Sequence, residues 1–175
     1  KEIAAMLIFL IGFMGAGKST QAKKLAARLN FESIDLDELI EQVNKQSISE
    51  IFKANGEHHF RKIESEALRT ISEQQNTVIA TGGGTPCFFD NMQWMNEKGI
   101  TVYLKLHPGT VYHRIAPSKS KRPLICDMND ADLMEFIMET MTVRAPFYNQ
   151  AKIQISGLNL KTEDLVNALQ PFIKQ

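Results

Sequence analysis

The chain has 175 residues, 43% of them hydrophobic, with 20 Lys and Arg against 20 Asp and Glu. That length matches one globular domain, and a chain of this size buries about two thirds of its extended surface on folding, so no disulfide or structural metal is needed to hold a core. A formal charge of zero excludes a nucleic-acid binder working through a bulk basic field and an acidic disordered tail, so any anion must be gripped by a few placed groups.

From the first residues onward, short apolar runs alternate with longer amphipathic ones. The stretch from Ile3 to Met14 is too short for a bilayer, which takes about 20 residues, and it lacks the basic flank of a signal peptide. The chain opens on Lys1 rather than Met, which leaves the origin of its first residues open. A strand is expected over Met6 to Ile11, followed by GFMGAGKST, which fits G-x-x-x-x-G-K-S/T through Gly12, Gly17, Lys18 and Ser19. The glycines let backbone N–H groups point at phosphate oxygens, Lys18 reaches the β- and γ-phosphates, and Ser19 offers a hydroxyl to Mg²⁺. Gly15, Ala16 and Thr20 belong to the same nucleotide-binding set. The context fits the motif, because Ala22, Leu25, Ala26 and Leu29 then fall at helical spacing.

The second expected strand, Ser33 to Asp35, opens SIDLDEL. P-loop proteins usually take a Mg²⁺ carboxylate from the end of a second apolar strand, but TVIAT, expected as a strand over Thr77 to Thr81, ends in Gly82, Gly83 and Gly84. The acid is therefore expected from Asp35 and Asp37, which share a face if the strand persists. One of the two would hold Mg²⁺, directly or through water, while the other would orient an acceptor hydroxyl and take its proton. The plainer reading is a turn in which Asp37 caps a helix starting at Glu38.

Ser47 with Glu50 makes a capping box, and Gly56 sits where a helix should end. Phe60, Ile63, Ala67, Leu68 and Ile71 mark the next helix, which carries Arg61 in HFRKIE. Three glycines in a row at a strand end suit close approach of a ligand to backbone, or simply a tight turn. Gly99 ends another helix before a strand over Ile100 to Leu106. From Pro117 to about Asp130 the periodicity breaks, as in a functional lid, and Arg122 in KSKRPLI could swing onto a transferring phosphoryl group. Arg144 in VRAPFY lies near the end of a helix. Helical arginines are commonly solvated surface charges, but if Arg61 and Arg144 both face the strand ends their planar forks suit a carboxylate. A last strand is expected over Lys152 to Ile155, and Thr162 can cap a final helix with Leu165, Val166, Leu169 and Phe172 inward. His58, His59, His107 and His113 have no metal-ligand spacing. Cys87 and Cys126 match neither a zinc nor a redox pair and read as free thiols in a reducing cytosol, with a lone disulfide as the alternative. The methionines and Trp94 read as packing.

Strand and helix alternation with five strands implies an α/β fold of three layers, α/β/α, with a parallel sheet and right-handed crossovers, and ligands at the carboxyl ends of the strands. One domain spans 1–175, with a lid over roughly 117–130.

The ordered set GFMGAGKST, DLD at Asp35 and Asp37, FRKIE, GGG, RPL and RAPFY resembles the shikimate kinase family of small P-loop phosphotransferases over nearly the whole chain. The resemblance implies ATP-dependent phosphorylation of the 3-hydroxyl of shikimate, on the route to chorismate and aromatic amino acids. It implies that Asp37 binds the shikimate hydroxyls and acts as base, that Asp35 holds Mg²⁺ through water beside Ser19, and that Arg61 and Arg144 clamp the carboxylate. The Gly82 to Gly84 backbone would contact the ring, and Arg122, with Lys18, would meet the γ-phosphate. The family stacks an arginine on adenine just before the lid; Arg114 is the nearest candidate, one residue from the usual spacing. The segment APSKSKRPLICDMNDAD is the least family-like part. A cytoplasmic monomer without nucleic-acid or membrane partners is expected. The alternatives are a gluconokinase or nucleotide kinase, and, from another class, a catalytically idle nucleotide-binding module.

Overall fold

Leu7 to Ile11 are all buried because β1 (Leu7–Ile11) is the middle strand of the sheet and is covered on both faces. The computed structural model describes residues 5–173, so Ile3, the start of the first apolar stretch, lies outside the described residues. The other strands are β2 (Glu32–Asp35), β3 (Thr77–Ala80), β4 (Ile100–Lys105) and β5 (Ile153–Ser156), and the five run parallel in the order β2-β3-β1-β4-β5. Each agrees with its expected span to within one residue. The helices are α1 (Lys18–Leu29), α2 (Leu36–Asn44), α3 (Ile48–Arg69), α4 (Asn91–Lys98), α5 (Pro108–Ile115), α6 (Asp130–Tyr148) and α7 (Thr162–Ile173).

The period of two along β1 sorts the core into two layers. Ile8 and Leu10 pack with Leu25 of α1, Val111 of α5, Ile137 of α6 and Leu165 of α7. Leu7, Phe9 and Ile11 face the other way, against Ile40 of α2, Leu68 of α3 and Met95 of α4, with Trp94 edge-on to Phe9. Helix α6 crosses between the layers: Leu133 and Ile137 belong to the first cluster and Tyr148 to the second. Arg144 is thereby carried across the carboxyl end of the sheet.

Several local expectations need correction. The strand through Asp35 does not persist to Asp37, and the helix begins at Leu36 rather than Glu38. Its N-cap is Asp35, whose Oδ1 accepts from the Asp37 and Glu38 N–H groups at 3.0 and 3.3 Å, so one carboxylate oxygen offsets two orphan donors of the first turn. Thr162 is inside α7 rather than at its cap; its hydroxyl lies 3.4 Å from Gln21 Oε1, and Asp164 Oδ2 instead accepts from the Lys161 N–H at 2.9 Å. Ile71 is buried but lies past the end of α3, where the chain turns back toward β3. The Ser47 to Glu50 capping box is formed, Gly56 breaks α3 with φ 79° and ψ 178°, and α4 stops before Gly99.

The irregular segment is more structured than the sequence promises. Residues Ala116–Lys121 form a 3₁₀ turn, Ile125 is fully buried in the first core cluster, and Lys119 Nζ donates to the Met128 carbonyl at 2.6 Å. Asp130 already belongs to α6.

Candidate active site

β1 has β3 on one side and β4 on the other, so the chain reverses its winding there, and a crevice opens at the carboxyl ends of the strands. Into it come the loop after β1, the Asp35–Asp37 corner after β2 and the glycine turn after β3.

The loop from Gly12 to Gly17 passes through positive φ at Gly12, Gly15 and Gly17 and leads directly into α1, leaving the first N–H groups of the helix directed at the crevice. Lys18 Nζ folds back to donate to the Gly12 and Phe13 carbonyls at 2.7 and 2.9 Å. Burial lowers its ammonium to about 8, with Arg144 and Arg122 adding repulsion against the attraction of Asp37 and Asp35. Ser19 Oγ donates to Asp35 Oδ2 at 2.5 Å. Asp35 thus caps α2 with one oxygen and meets the Ser19 hydroxyl, in the first turn of α1, with the other. A hydroxyl and a carboxylate oxygen side by side are the hard donors Mg²⁺ takes, and that ion keeps most of its shell for water and phosphate, so two protein ligands suffice. Among the described residues no group of three or more His, Cys, Asp or Glu could hold a metal.

Two cavities meet at this point. One, about 260 Å³, is lined by Gly15, Gly17, Lys18, Ser19, Asp35 and Arg122. The other, about 130 Å³, lies between Arg61, Glu64, Arg144 and the three glycines, with Ile48, Phe52, Phe60, Pro123 and Leu124 as apolar walls. Asp37, Met14, Gly82 and Gly83 line both. Asp37 is open to the cleft, yet burial against surrounding protein, aided by the negative charges of Glu64 and Asp35 and opposed by Lys18, pushes its carboxyl up to about 6.

None of Gly82, Gly83 and Gly84 needs a positive φ; what each needs is an absent Cβ. A Cβ on Gly84 would stand 2.5 Å from Arg61 Nη2, one on Gly83 3.0 Å from Arg144 Nη1, and one on Gly82 2.9 Å from Glu64 Oε2. The close approach expected of a ligand is thus already made by protein side chains. Arg61, 4% exposed, is not the solvated helical arginine of the plainer expectation: Nη1 donates to Glu64 Oε1 at 2.9 Å, Nη2 to Glu57 Oε1 at 3.1 Å, and the guanidinium stacks over Phe88. Arg144, 8% exposed, lies over the Phe13 ring, and its Nη1 is buried without a hydrogen-bond partner among the described residues. A buried, unpaired guanidinium nitrogen is costly unless an acceptor reaches it. Arg122 Nε is in the same condition at the other cavity.

Arg114 is on α5, exposed, and bridges the loop after β1 to the segment after β5, donating to the carbonyls of Gly15 at 3.1 Å and Gly157 at 3.3 Å. Ala16 is buried and Thr20 lies exposed in the first turn of α1. Arg61, Arg122 and Arg144 therefore line the two cavities, whereas Arg114, His58, His59, His107 and His113 line neither. Both cysteines are free thiols, and burial raises Cys87 to about 11, which keeps it an inert thiol.

Two groups escaped the sequence reading. Glu64, fully buried, follows Arg61 by three residues, and Tyr148, four residues after Arg144, donates its hydroxyl to the Gly83 carbonyl at 2.5 Å. Helical i,i+3 and i,i+4 spacing to an already suspected arginine is the signal that could have found them.

The raised pKa of Asp37 is directly measurable. In the metal-free chain the Asp37 side-chain carbon followed by NMR should titrate with a midpoint near 6, and Glu64→Gln should move that midpoint down by removing a neighbouring negative charge. A midpoint near 4 in the unaltered chain would contradict this electrostatic picture.

Comparison with known proteins places the chain in a family. A sequence model of the family described as shikimate kinase matches residues 14–174. Shikimate kinase of Bacteroides thetaiotaomicron is 46% identical over 171 residues, covering 95% of this chain and 98% of that protein. A crystal structure of shikimate kinase from Bacteroides thetaiotaomicron superposes with a TM-score of 0.87 at 41% identity, covering 97% of this chain and 99% of that one. The shikimate kinase of Acinetobacter baumannii, solved in complex with shikimate, gives a TM-score of 0.82 at 29% identity, covering 97% of this chain and 93% of that one. With its P-loop, its paired arginines and its glycine turn in one crevice, the chain belongs to the shikimate kinase family.

Proposed function

We propose that this member of the shikimate kinase family is a single-domain, monomeric, cytoplasmic enzyme that transfers the γ-phosphoryl group of ATP, as its Mg²⁺ complex, to the 3-hydroxyl of shikimate. The observation that carries the reading is Asp37, which lines the phosphate cavity and the arginine-lined cavity at once. An acceptor hydroxyl beside Asp37 faces the phosphate cavity while a carboxylate on the same molecule reaches the arginines.

In this reading the shikimate carboxylate is held by Arg61 and by the free Nη1 of Arg144, whose burial makes an anionic partner favourable. The ring lies against Gly82, Gly83 and Gly84 and the apolar wall of Phe52, Phe60 and Leu124. Asp37 accepts the proton of the attacking hydroxyl as its oxygen bonds to the γ-phosphorus and the bond to ADP breaks. A carboxyl titrating near 6 is ionised at neutral pH yet basic enough for that work. Gly12, Gly15, Ala16, Gly17 and Thr20 cradle the phosphates, and Lys18 leaves the Gly12 and Phe13 carbonyls to meet them. Ser19 and Asp35 would hold Mg²⁺, which when bound neutralises phosphate charge. Arg122 stabilises the charge on the transferring group, and Arg114, between the loops of Gly15 and Gly157, packs on the adenine. Nothing in this arrangement calls for nucleic acid, and no described helix is long and apolar enough to cross a membrane.

A coupled assay offering shikimate, gluconate and nucleoside monophosphates as rival acceptors should show turnover of shikimate alone. Turnover of gluconate without shikimate would overturn the reading, and ATP binding without transfer to any acceptor would favour an idle nucleotide-binding module. Asp37→Asn should lower kcat by about 10²-fold or more while ATP affinity holds. Arg144→Lys should weaken shikimate binding about tenfold or more, because an ammonium cannot reproduce a planar fork. Gly84→Ala, which drives a Cβ into the Arg61 guanidinium, should raise the shikimate KM by about tenfold and leave the ATP KM near its starting value.

A further inference from the structure

Glu64 is a fully buried carboxylate, and each of its oxygens has one donor. Oε1 accepts from Arg61 Nη1 at 2.9 Å, and Oε2 accepts from the Thr85 hydroxyl at 2.8 Å. Thr85 itself is fully buried in the short 3₁₀ turn that follows the three glycines, Thr85–Cys87. Its carbonyl accepts from Asn91 Nδ2 at 2.9 Å, and Asn91, also fully buried, accepts at Oδ1 from the Ser65 hydroxyl and from Arg69 Nη1, both at 2.8 Å. A continuous polar chain therefore runs from Arg69 and Ser65 on α3, through Asn91 at the head of α4, to Thr85, Glu64 and Arg61. It ties the turn after β3 to the helix that carries the arginine.

This chain has a mechanical consequence. Arg61 lies against Gly84 with no room to spare, so its guanidinium can present a fixed edge to the cavity only if its own anchor is fixed. Glu57, the other anion on Arg61, is half exposed, so solvent competes for it, whereas Glu64 is buried and held on both carboxylate oxygens. That setting depends on the hydroxyl at residue 85. With an apolar group there, Oε2 would be buried with no donor, and the carboxylate would rotate away or shift its grip on Arg61.

Building on the reading of function above, we propose that Thr85 is a positioning residue for the acceptor site: its hydroxyl, on a backbone that Asn91 holds at the Thr85 carbonyl, locks Glu64 so that Arg61 meets the acceptor carboxylate in one orientation. Thr85 touches neither acceptor nor nucleotide in this assignment, and its effect falls on acceptor binding rather than on phosphoryl transfer.

The test is steady-state kinetics on Thr85→Val, which keeps the branched shape and removes the donor, with Thr85→Ser as the conservative rescue. Thr85→Val should raise the shikimate KM about fivefold or more, with kcat and the ATP KM within about twofold, and Thr85→Ser should return the KM close to that of the parent. In a Glu64→Gln background the further change Thr85→Val should add less than about twofold, since both act through one carboxylate. An unchanged KM in Thr85→Val, equal losses in kcat and in both KM values, or additive effects with Glu64→Gln would each overturn the proposal. Should Thr85→Val not fold, Thr85→Ala carries the same comparison. Absence of shikimate turnover in the unaltered enzyme would refute the functional reading itself, whereas turnover with an indifferent Thr85 would refute only the positioning role.

Discussion

Two guanidinium groups resting directly on a turn of three glycines are the contact on which the rest of the site depends. Arg61 comes from α3 and Arg144 from α6, and they reach the same turn because Gly83 and Gly84 have no side chains to hold them off. The charges are unequally compensated. Arg61 has Glu57 and Glu64, while Arg144 has an aromatic ring and one buried nitrogen without a partner. The excess of positive charge therefore lies at Arg144 alone, in a chain whose total charge is zero. A crevice with low-dielectric walls strengthens that excess and favours a small anion over a bulk polyanion.

The sheet explains how such a contact can be built. The order β2-β3-β1-β4-β5 places the loop after β1 beside the turn after β3. The stretches of backbone proposed to bind phosphate and acceptor are therefore neighbours. Helix α6 contributes by crossing from one core layer to the other, with Ile137 in the first and Tyr148 in the second, so Arg144 between them sits over the strand ends. Tyr148 then holds the Gly83 carbonyl, and Pro123 and Leu124 wall the arginine-lined cavity while Ile125 anchors their segment in the core. Asp37 stands at the junction, and its raised pKa follows from burial beside Glu64 and Asp35.

The readable part of the fold was what periodicity and loop chemistry encode. Central strands are continuous apolar runs, the P-loop is a backbone motif with fixed spacing, and the Ser47 capping box is local in sequence. The corner at SIDLDEL was misread because two aspartates two residues apart fit both a strand face and a helix cap, and only the tertiary position of Ser19 decides that Asp35 serves as cap. Thr162 failed as a cap for a similar reason: Gln21, 141 positions away in sequence, draws its hydroxyl, and Asp164 is left to bond Lys161. Arg61 and Arg144 were visible as residues but not as buried ones, since burial of a charged side chain depends on partners the sequence does not place. Thr85 and Asn91 were silent because each looks like an ordinary polar residue until the turn after β3 brings them to Glu64 and to each other.

The claim that most of this account rests on is that the acceptor is recognised by its carboxylate at Arg61 and Arg144. Steady-state kinetics comparing shikimate with its neutral carboxamide tests it most directly, because the two differ only at the group the arginines are assigned to hold. A specificity constant kcat/KM about 10²-fold or more lower for the amide is the expected result, since a site built around a charged partner is left with unpaired buried donors. Equal specificity constants for the two compounds would contradict it.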